Sequence, residues 1–194
     1  MQQDFTAIMK QYHAGQVRNA GRIPYCEHPL NVASILTSVI AITHETDDAA
    51  LLADMHDAAL GHDLLEDTKI TEAEVLSATN QRTLNLIKEL TNPVDDAHTE
   101  RYMVQLKAAS EEARLIKYAD LVENTTSVVY GLPDLGLDWA KHFYRPILLK
   151  TDAVLAQTQF VMYPQAATIF RNMLLIMKNL LLVILDDSSL EESV

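Results

Sequence analysis

Apolar residues recurring at helical intervals, with little to interrupt them, are what most limits the folds open to this chain. Downstream of Pro29, the residues Leu30, Ala33, Ile35, Leu36 and Val39 follow a helical period, which predicts a helix over residues 29 to about 43. Comparable signals predict helices over residues 5 to about 15 behind Asp4 as N-cap, over 47–60, and over about 81–90 ahead of Asn92-Pro93. Thr71-Glu72-Ala73-Glu74 reads as a capping box that opens a helix reaching Ala78. Further helices are expected over about 98–109, 110–124, 137–159 and 165–185, with a loop at Gly131-Leu132-Pro133-Asp134-Leu135-Gly136. Only five Gly and six Pro punctuate the 194 residues, and neither a pair of strands nor a repeat is recognisable. The expected fold class is therefore all-α, in a single domain over 1–194 with its core at about 5–160.

The most apolar stretch runs from Met173 to Leu185. Spanning a bilayer takes about 20 apolar residues, and this run is shorter and broken by Lys178-Asn179, so a core or interface helix is expected. Any face it leaves uncovered would supply a homodimer surface. Residues 186–194 read as a solvated, frayed acidic tail.

Chemistry concentrates at His62-Asp63-Leu64-Leu65-Glu66-Asp67, which holds one imidazole and three carboxylates within six residues. In a continuous helix His62 and Glu66 would share one face and Asp63 and Asp67 the adjacent one. Further metal ligands must come from elsewhere, and His28, beside Pro29 at a helix start, and Asp120, late in a helix, are the candidates. Two imidazoles with two carboxylates suit a borderline-to-hard divalent ion such as Mn²⁺ or Fe²⁺, and Zn²⁺, Ni²⁺ or Co²⁺ would also fit. His56-Asp57 is a second His-Asp pair, but no Glu-Asp-Thr follows it, and the later pair is preferred.

His13-Ala14-Gly15-Gln16-Val17-Arg18, Pro24-Tyr25, His28-Pro29-Leu30, His62-Asp63, Glu66-Asp67-Thr68 and Lys117-Tyr118-Ala119-Asp120 with Asn124 resemble one branch of the HD-domain phosphohydrolases in order and spacing. That branch is the (p)ppGpp hydrolase domain of RelA/SpoT-type proteins of the stringent response, which includes small stand-alone members. The likeness runs from about His13 to the region of Trp139. It implies that His28, His62, Asp63 and Asp120 hold one Mn²⁺ and that Glu66-Asp67 is the acid/base element. It also implies that Arg18, Asn124 and Ser127 contact the nucleotide. The reaction implied removes the 3′-pyrophosphate of guanosine tetra- or pentaphosphate, leaving GDP or GTP.

The chain departs from that pattern where Asn19 replaces a usual Lys, where Leu121-Val122-Glu123 replaces a run with a basic residue, and where Ser127 replaces a common Thr. An HD phosphohydrolase acting on another nucleotide or phosphoester is the alternative expectation, and a non-catalytic metal- or nucleotide-binding module the third. With no synthetase segment in these residues, the opposing synthesis is expected from another protein. A net charge of −12 argues against a nucleic-acid polymer or an anionic membrane as partner, leaving a small nucleotide as the expected ligand. Cys26 is the one cysteine and the first residues carry no secretory signal, which points to the reducing cytoplasm. Cys26 and Trp139 are expected to serve packing, His13 is expected to satisfy a local hydrogen bond rather than line the pocket, and His44, His98 and His142 have no partner set.

Overall fold

The computed structural model describes residues 4–18, 23–92 and 98–191, and Asn19 and the last three residues of the acidic tail lie outside them. Among the described residues the regular structure is helical, with one isolated bridge between Val17 and Pro24. In chain order the elements are α1 (Phe5–Tyr12), α2 (Glu27–Thr43), α3 (Ala49–Gly61), α4 (Leu64–Asp67), α5 (Glu72–Ala78), α6 (Gln81–Leu90), α7 (His98–Ala108) and α8 (Glu111–Leu135). After α9 (Leu137–Trp139) a π-helical turn (Ala140–Tyr144) leads into α10 (Arg145–Ala156), and α11 (Pro164–Glu191) closes the fold.

Local chemistry explains where most of these helices start. Asp4, Asp48, Asn80 and Ser110 each accept a hydrogen bond from a backbone N–H of the first turn that follows. Thr71 and Glu74 form the expected reciprocal capping box. On α2, Ala33, Leu36 and Val39 are buried, and Leu30 and Ile35 are half-buried against the same core. The central strut is α8, which buries Leu115, Ile116, Tyr118 and Ala119 and packs against α2, α6 and α11.

Four expectations are corrected. The helix across residues 62–68 is interrupted: α3 ends at Gly61 and α4 begins at Leu64, so His62 and Asp63 sit in a tight right-handed connection. The loop expected at 131–136 is instead the last part of α8. Gly131 is buried within that helix, Pro133 falls in its final turn, and the chain leaves the helix at Gly136, whose φ of 81° suits a glycine. Pro133 forfeits the bond its N–H would make to the carbonyl four residues back, and the packing of Val128 and Gly131 carries the helix through. The helix expected over 137–159 is split by the π turn and ends at Ala156. The tail expected to fray from Asp186 stays helical to Glu191.

The C-terminal helix also turns out longer than its apolar core suggested. Pro164–Asp186 is long and apolar enough to cross a membrane by length and composition, and 22% of its most apolar window is buried. Phe170, Leu174, Leu181 and Leu185 face the bundle, and Lys178 pairs with Asp152 of α10. Ile176, Leu180 and Val183 remain exposed on the outer side.

Candidate metal centre

Three separate elements deliver the imidazoles and carboxylates to one point. His28 lies in the first turn of α2, His62 and Asp63 in the connection between α3 and α4, and Asp120 midway along α8. His28 Nε2 stands 3.2 Å from His62 Nε2 and 3.4 Å from Asp63 Oδ2, and His62 Nε2 stands 3.1 Å from that same oxygen. Asp120 Oδ1 lies 3.2 Å from His28 Nε2 and 3.7 Å from His62 Nε2. His28, His62 and Asp63 offer a mutually close trio of atoms that could hold a metal, and Asp120 Oδ1 approaches both imidazoles. Adjacent ligands about 2.1 Å from one ion lie about 3 Å apart, so these spacings fit a shared divalent cation. His28, His62 and Asp120 are buried, and Asp63 is partly exposed.

Each of these side chains has a hydrogen-bond partner that orients it. His62 Nδ1 donates to the Ala59 carbonyl at 2.8 Å, which leaves Nε2 for the cluster. His28 Nδ1 faces Glu123 Oε2 at 2.5 Å, and because a carboxylate only accepts, that nitrogen carries the proton. Asp120 accepts from Lys117 Nζ at 2.7 Å and from Asn124 Nδ2 at 2.5 Å. His62 itself sits just past Gly61, the end of α3. A Cβ on Gly61 would lie 2.7 Å from Ile87 Cδ1 and 3.0 Å from the Phe5 ring, so a larger residue would have to displace these side chains.

Charge couples the four groups. Burial works against protonated imidazoles here, but the carboxylates outweigh it: Asp120, Asp63 and Glu123 raise His28 well above the usual histidine range, and Asp63 and Asp120 bring His62 to about 9. Burial likewise opposes ionised Asp63 and Asp120. The imidazoles hold Asp63 well below the usual carboxylate range, and Lys117 with the imidazoles does the same for Asp120.

Glu66 and Asp67, on α4, reach solvent beside this cluster. Partial withdrawal from water raises both carboxyls, and the charge of Asp63 adds to the effect. Glu66 Oε2 accepts from the Asn92 backbone N–H at 2.9 Å. The Tyr25 hydroxyl lies 2.7 Å from Asp63 Oδ2 and 3.0 Å from Asp67 Oδ2, and with one proton it can donate to one of them at a time. Gln16 Nε2 donates to the Asp67 carbonyl and Gln16 Oε1 meets His13 Nδ1, so the His13–Gln16 segment braces the turn from below. A cavity of ≈ 340 Å³ opens against His62, Asp63, Glu66, Lys117 and Asp120.

Arg18, Asn124 and Ser127 line a neighbouring cavity of ≈ 190 Å³, together with Tyr25 and Trp139. Arg18 Nη2 donates to Asn124 Oδ1 at 3.1 Å and lies 3.0 Å from Glu123 Oε2. Ser127 and Glu123 also line a third cavity, of ≈ 410 Å³, with Asn31, Tyr130 and Asp134. Trp139 stacks on Tyr144, and Cys26 is partly buried against the core. His56 and Asp57 pair with each other at 3.2 Å, partly exposed. His44 caps α2 with a left-handed backbone, His142 bonds to the Asp138 carbonyl, and the His98 side chain lies outside the described residues. Sequence reasoning assigned no role to Tyr25, Lys117 or Glu123. The first two stand inside the recognised motifs, whereas Glu123 was visible only as a departure from them.

No family model matches the chain. The guanosine-3′,5′-bis(diphosphate) 3′-pyrophosphohydrolase MESH1 of Xenopus tropicalis is 37% identical over 116 residues, which are 58% of this chain and 60% of that protein. The chain is similar to the MESH1-type hydrolases. MESH1 of Homo sapiens is 34% identical over 122 residues, 61% of this chain and 62% of its own length. A guanosine-3′,5′-bis(diphosphate) 3′-pyrophosphohydrolase of Aquifex aeolicus is 33% identical over 61% of this chain and 16% of its own length. The chain thus spans about three fifths of the MESH1 relatives. Among solved structures, a metazoan orthologue of SpoT reported to hydrolyse ppGpp superposes with a TM-score of 0.66 at 22% identity, covering 87% of this chain and 92% of the other. A protein of Listeria monocytogenes superposes with a TM-score of 0.57 at 19% identity, covering 84% of this chain and 99% of the other. The all-helical fold is the one these structures share.

Proposed function

We propose that this chain is a metal-dependent (p)ppGpp 3′-pyrophosphohydrolase. The observation that carries the reading is the meeting of His28, His62, Asp63 and Asp120 ligand atoms beside the Glu66-Asp67 pair, supported by relatives named for this activity. Mn²⁺ is the ion this donor set suits first, with Fe²⁺, Zn²⁺, Ni²⁺ and Co²⁺ as the other fits. When bound, such an ion supplies Lewis-acid polarisation of a phosphoryl oxygen and makes water more acidic.

The chain's own residues do the rest. Glu66 and Asp67, with carboxyls raised above their ordinary values by burial, take the proton of the attacking water and return one to the departing 3′ oxygen. Water's oxygen joins phosphorus, the bond from phosphorus to the ribose 3′ oxygen breaks, and GDP or GTP leaves with pyrophosphate. Tyr25 keeps Asp67 in register with Asp63, and Lys117 faces the same cavity as a fixed cation. Arg18, Asn124 and Ser127, lining the adjoining cavity, are the proposed nucleotide contacts. The setting proposed for this reaction is the cytoplasm, with a small soluble nucleotide as ligand.

One observation favours a second reading. Arg18 is held by Glu123 and Lys117 by Asp120, so each of these cations already has a carboxylate partner. A substrate less densely charged than a tetraphosphate would suit that balance, and an HD phosphohydrolase of another nucleotide or phosphoester is the alternative. Purified protein supplied with Mn²⁺ and separately with ppGpp, pppGpp, GTP, GDP and NADPH decides between them. Pyrophosphate released from ppGpp or pppGpp supports the first reading. Turnover of another compound selects the second, and no turnover of any leaves a non-catalytic binding module.

A further inference from the structure

We infer that Glu123 is a positioning residue that holds His28 for the metal and, through the same oxygen, tethers Arg18 at the nucleotide cavity. Glu123 is 8% exposed on α8, inside a helix interface where a carboxylate is costly unless it is fully partnered. Its Oε2 lies 2.5 Å from His28 Nδ1 and 3.0 Å from Arg18 Nη2, and its Oε1 accepts from Asn31 Nδ2 at 3.4 Å. His28 and Asn31 stand three residues apart on α2, so the carboxylate grips one face of that helix and the segment carrying Arg18 together.

The consequence for His28 follows from hydrogen-bond chemistry. An acceptor-only group at Nδ1 fixes the proton there, aims the Nε2 lone pair at Asp63 and Asp120, and makes the imidazole a stronger ligand. The other imidazole has a neutral device, the Ala59 carbonyl, in the same place. The two histidines are therefore unequal, and the stronger anchoring belongs to His28. Arg18 is fixed by the same carboxylate oxygen and by Asn124, which sets the position of its guanidinium on the cavity wall. The inference rests on the metal-hydrolase reading for the ligand role of His28.

The test compares wild type, Glu123→Gln and Glu123→Asp. Free Mn²⁺ is followed by its paramagnetic resonance signal as protein is added, and thermal melting is recorded without metal. Glu123→Gln is expected to weaken Mn²⁺ binding by about ten- to a hundredfold. Glu123→Asp, one methylene too short to reach His28, is expected to do the same, and it serves should the Gln variant fail to fold. In Co²⁺-loaded protein the hyperfine-shifted Nδ1–H resonance of His28 should exchange slowly with water in wild type and rapidly in Glu123→Gln. Unchanged Mn²⁺ affinity with a lowered melting temperature makes Glu123 a structural ion-pair partner and overturns the inference alone. A wild-type protein that binds no divalent ion overturns the metal reading and this inference with it.

Discussion

At the scale of single residues, the centre behaves as a set of charges that a cation and protons compete to balance. Asp120→Asn removes an anionic ligand while keeping the side chain's shape, and Mn²⁺ binding measured by titration should be lost. Glu66→Gln should leave Mn²⁺ binding intact and lower kcat on ppGpp by about 10²- to 10⁴-fold, since it removes an acid/base group rather than a ligand. The imidazoles also set a pH dependence. His62 is raised from 6.5 to about 9 in the folded chain, so its contribution to stability is whole below pH 6.5 and is lost as the pH rises through 9. The melting temperature of metal-free protein should fall across that window. Mn²⁺ affinity should rise across it, because each ligand nitrogen must first shed its proton. His28, His62, Asp63 and Asp120 could be proposed as ligands from the letters because their motifs carry the family likeness. Glu123 could not, since its partner His28 is 95 positions away and only folding brings the two together.

At the scale of elements, the decisive feature is the interruption between α3 and α4. A regular helix through residues 62–68 would have set His62 above Glu66 on one face. In the observed arrangement Leu64 is buried, His62 turns toward α2 and α8, Glu66 lines the cavity and Asp67 reaches solvent beside it. At the end of α3, Gly61 lets the Ile87 and Phe5 side chains pack close against the backbone. Gly61→Ala should therefore cost about 1–3 kcal/mol of unfolding free energy in denaturant titration and weaken Mn²⁺ binding as the turn shifts. A variant as stable as wild type would show that the neighbours yield freely. The caps were readable as local signals, and Thr71-Glu74 formed as expected. The passage of α8 through Gly131 and Pro133 was not, because those residues punctuate a chain only where packing does not override them.

At the scale of the whole molecule, α11 is a long apolar helix used on one side. Leu181 is fully buried, and Leu181→Ala should lower the unfolding free energy by about 2–5 kcal/mol, read from the shift in denaturant midpoint. On the other side Ile176, Leu180 and Val183 are exposed at helical spacing. If a second copy covers them, Ile176→Asp with Val183→Asp should convert a dimer into a monomer in sedimentation without changing Mn²⁺ affinity. A wild-type chain that sediments as a monomer at high concentration removes the homodimer expectation.

The periodicity of apolar residues and the scarcity of breakers were enough to determine an all-helical chain, because helix formation depends on neighbours three and four positions apart. The family likeness carried by the His and Asp motifs was likewise enough to single out His28, His62, Asp63 and Asp120, which the fold brings together, as the proposed ligands. Tertiary structure alone decided which way those side chains turn, that Glu123 supports His28 and Arg18 together, and which face of α11 stays bare. Such outcomes depend on contacts between residues far apart in the chain, where burial and packing outweigh any local preference.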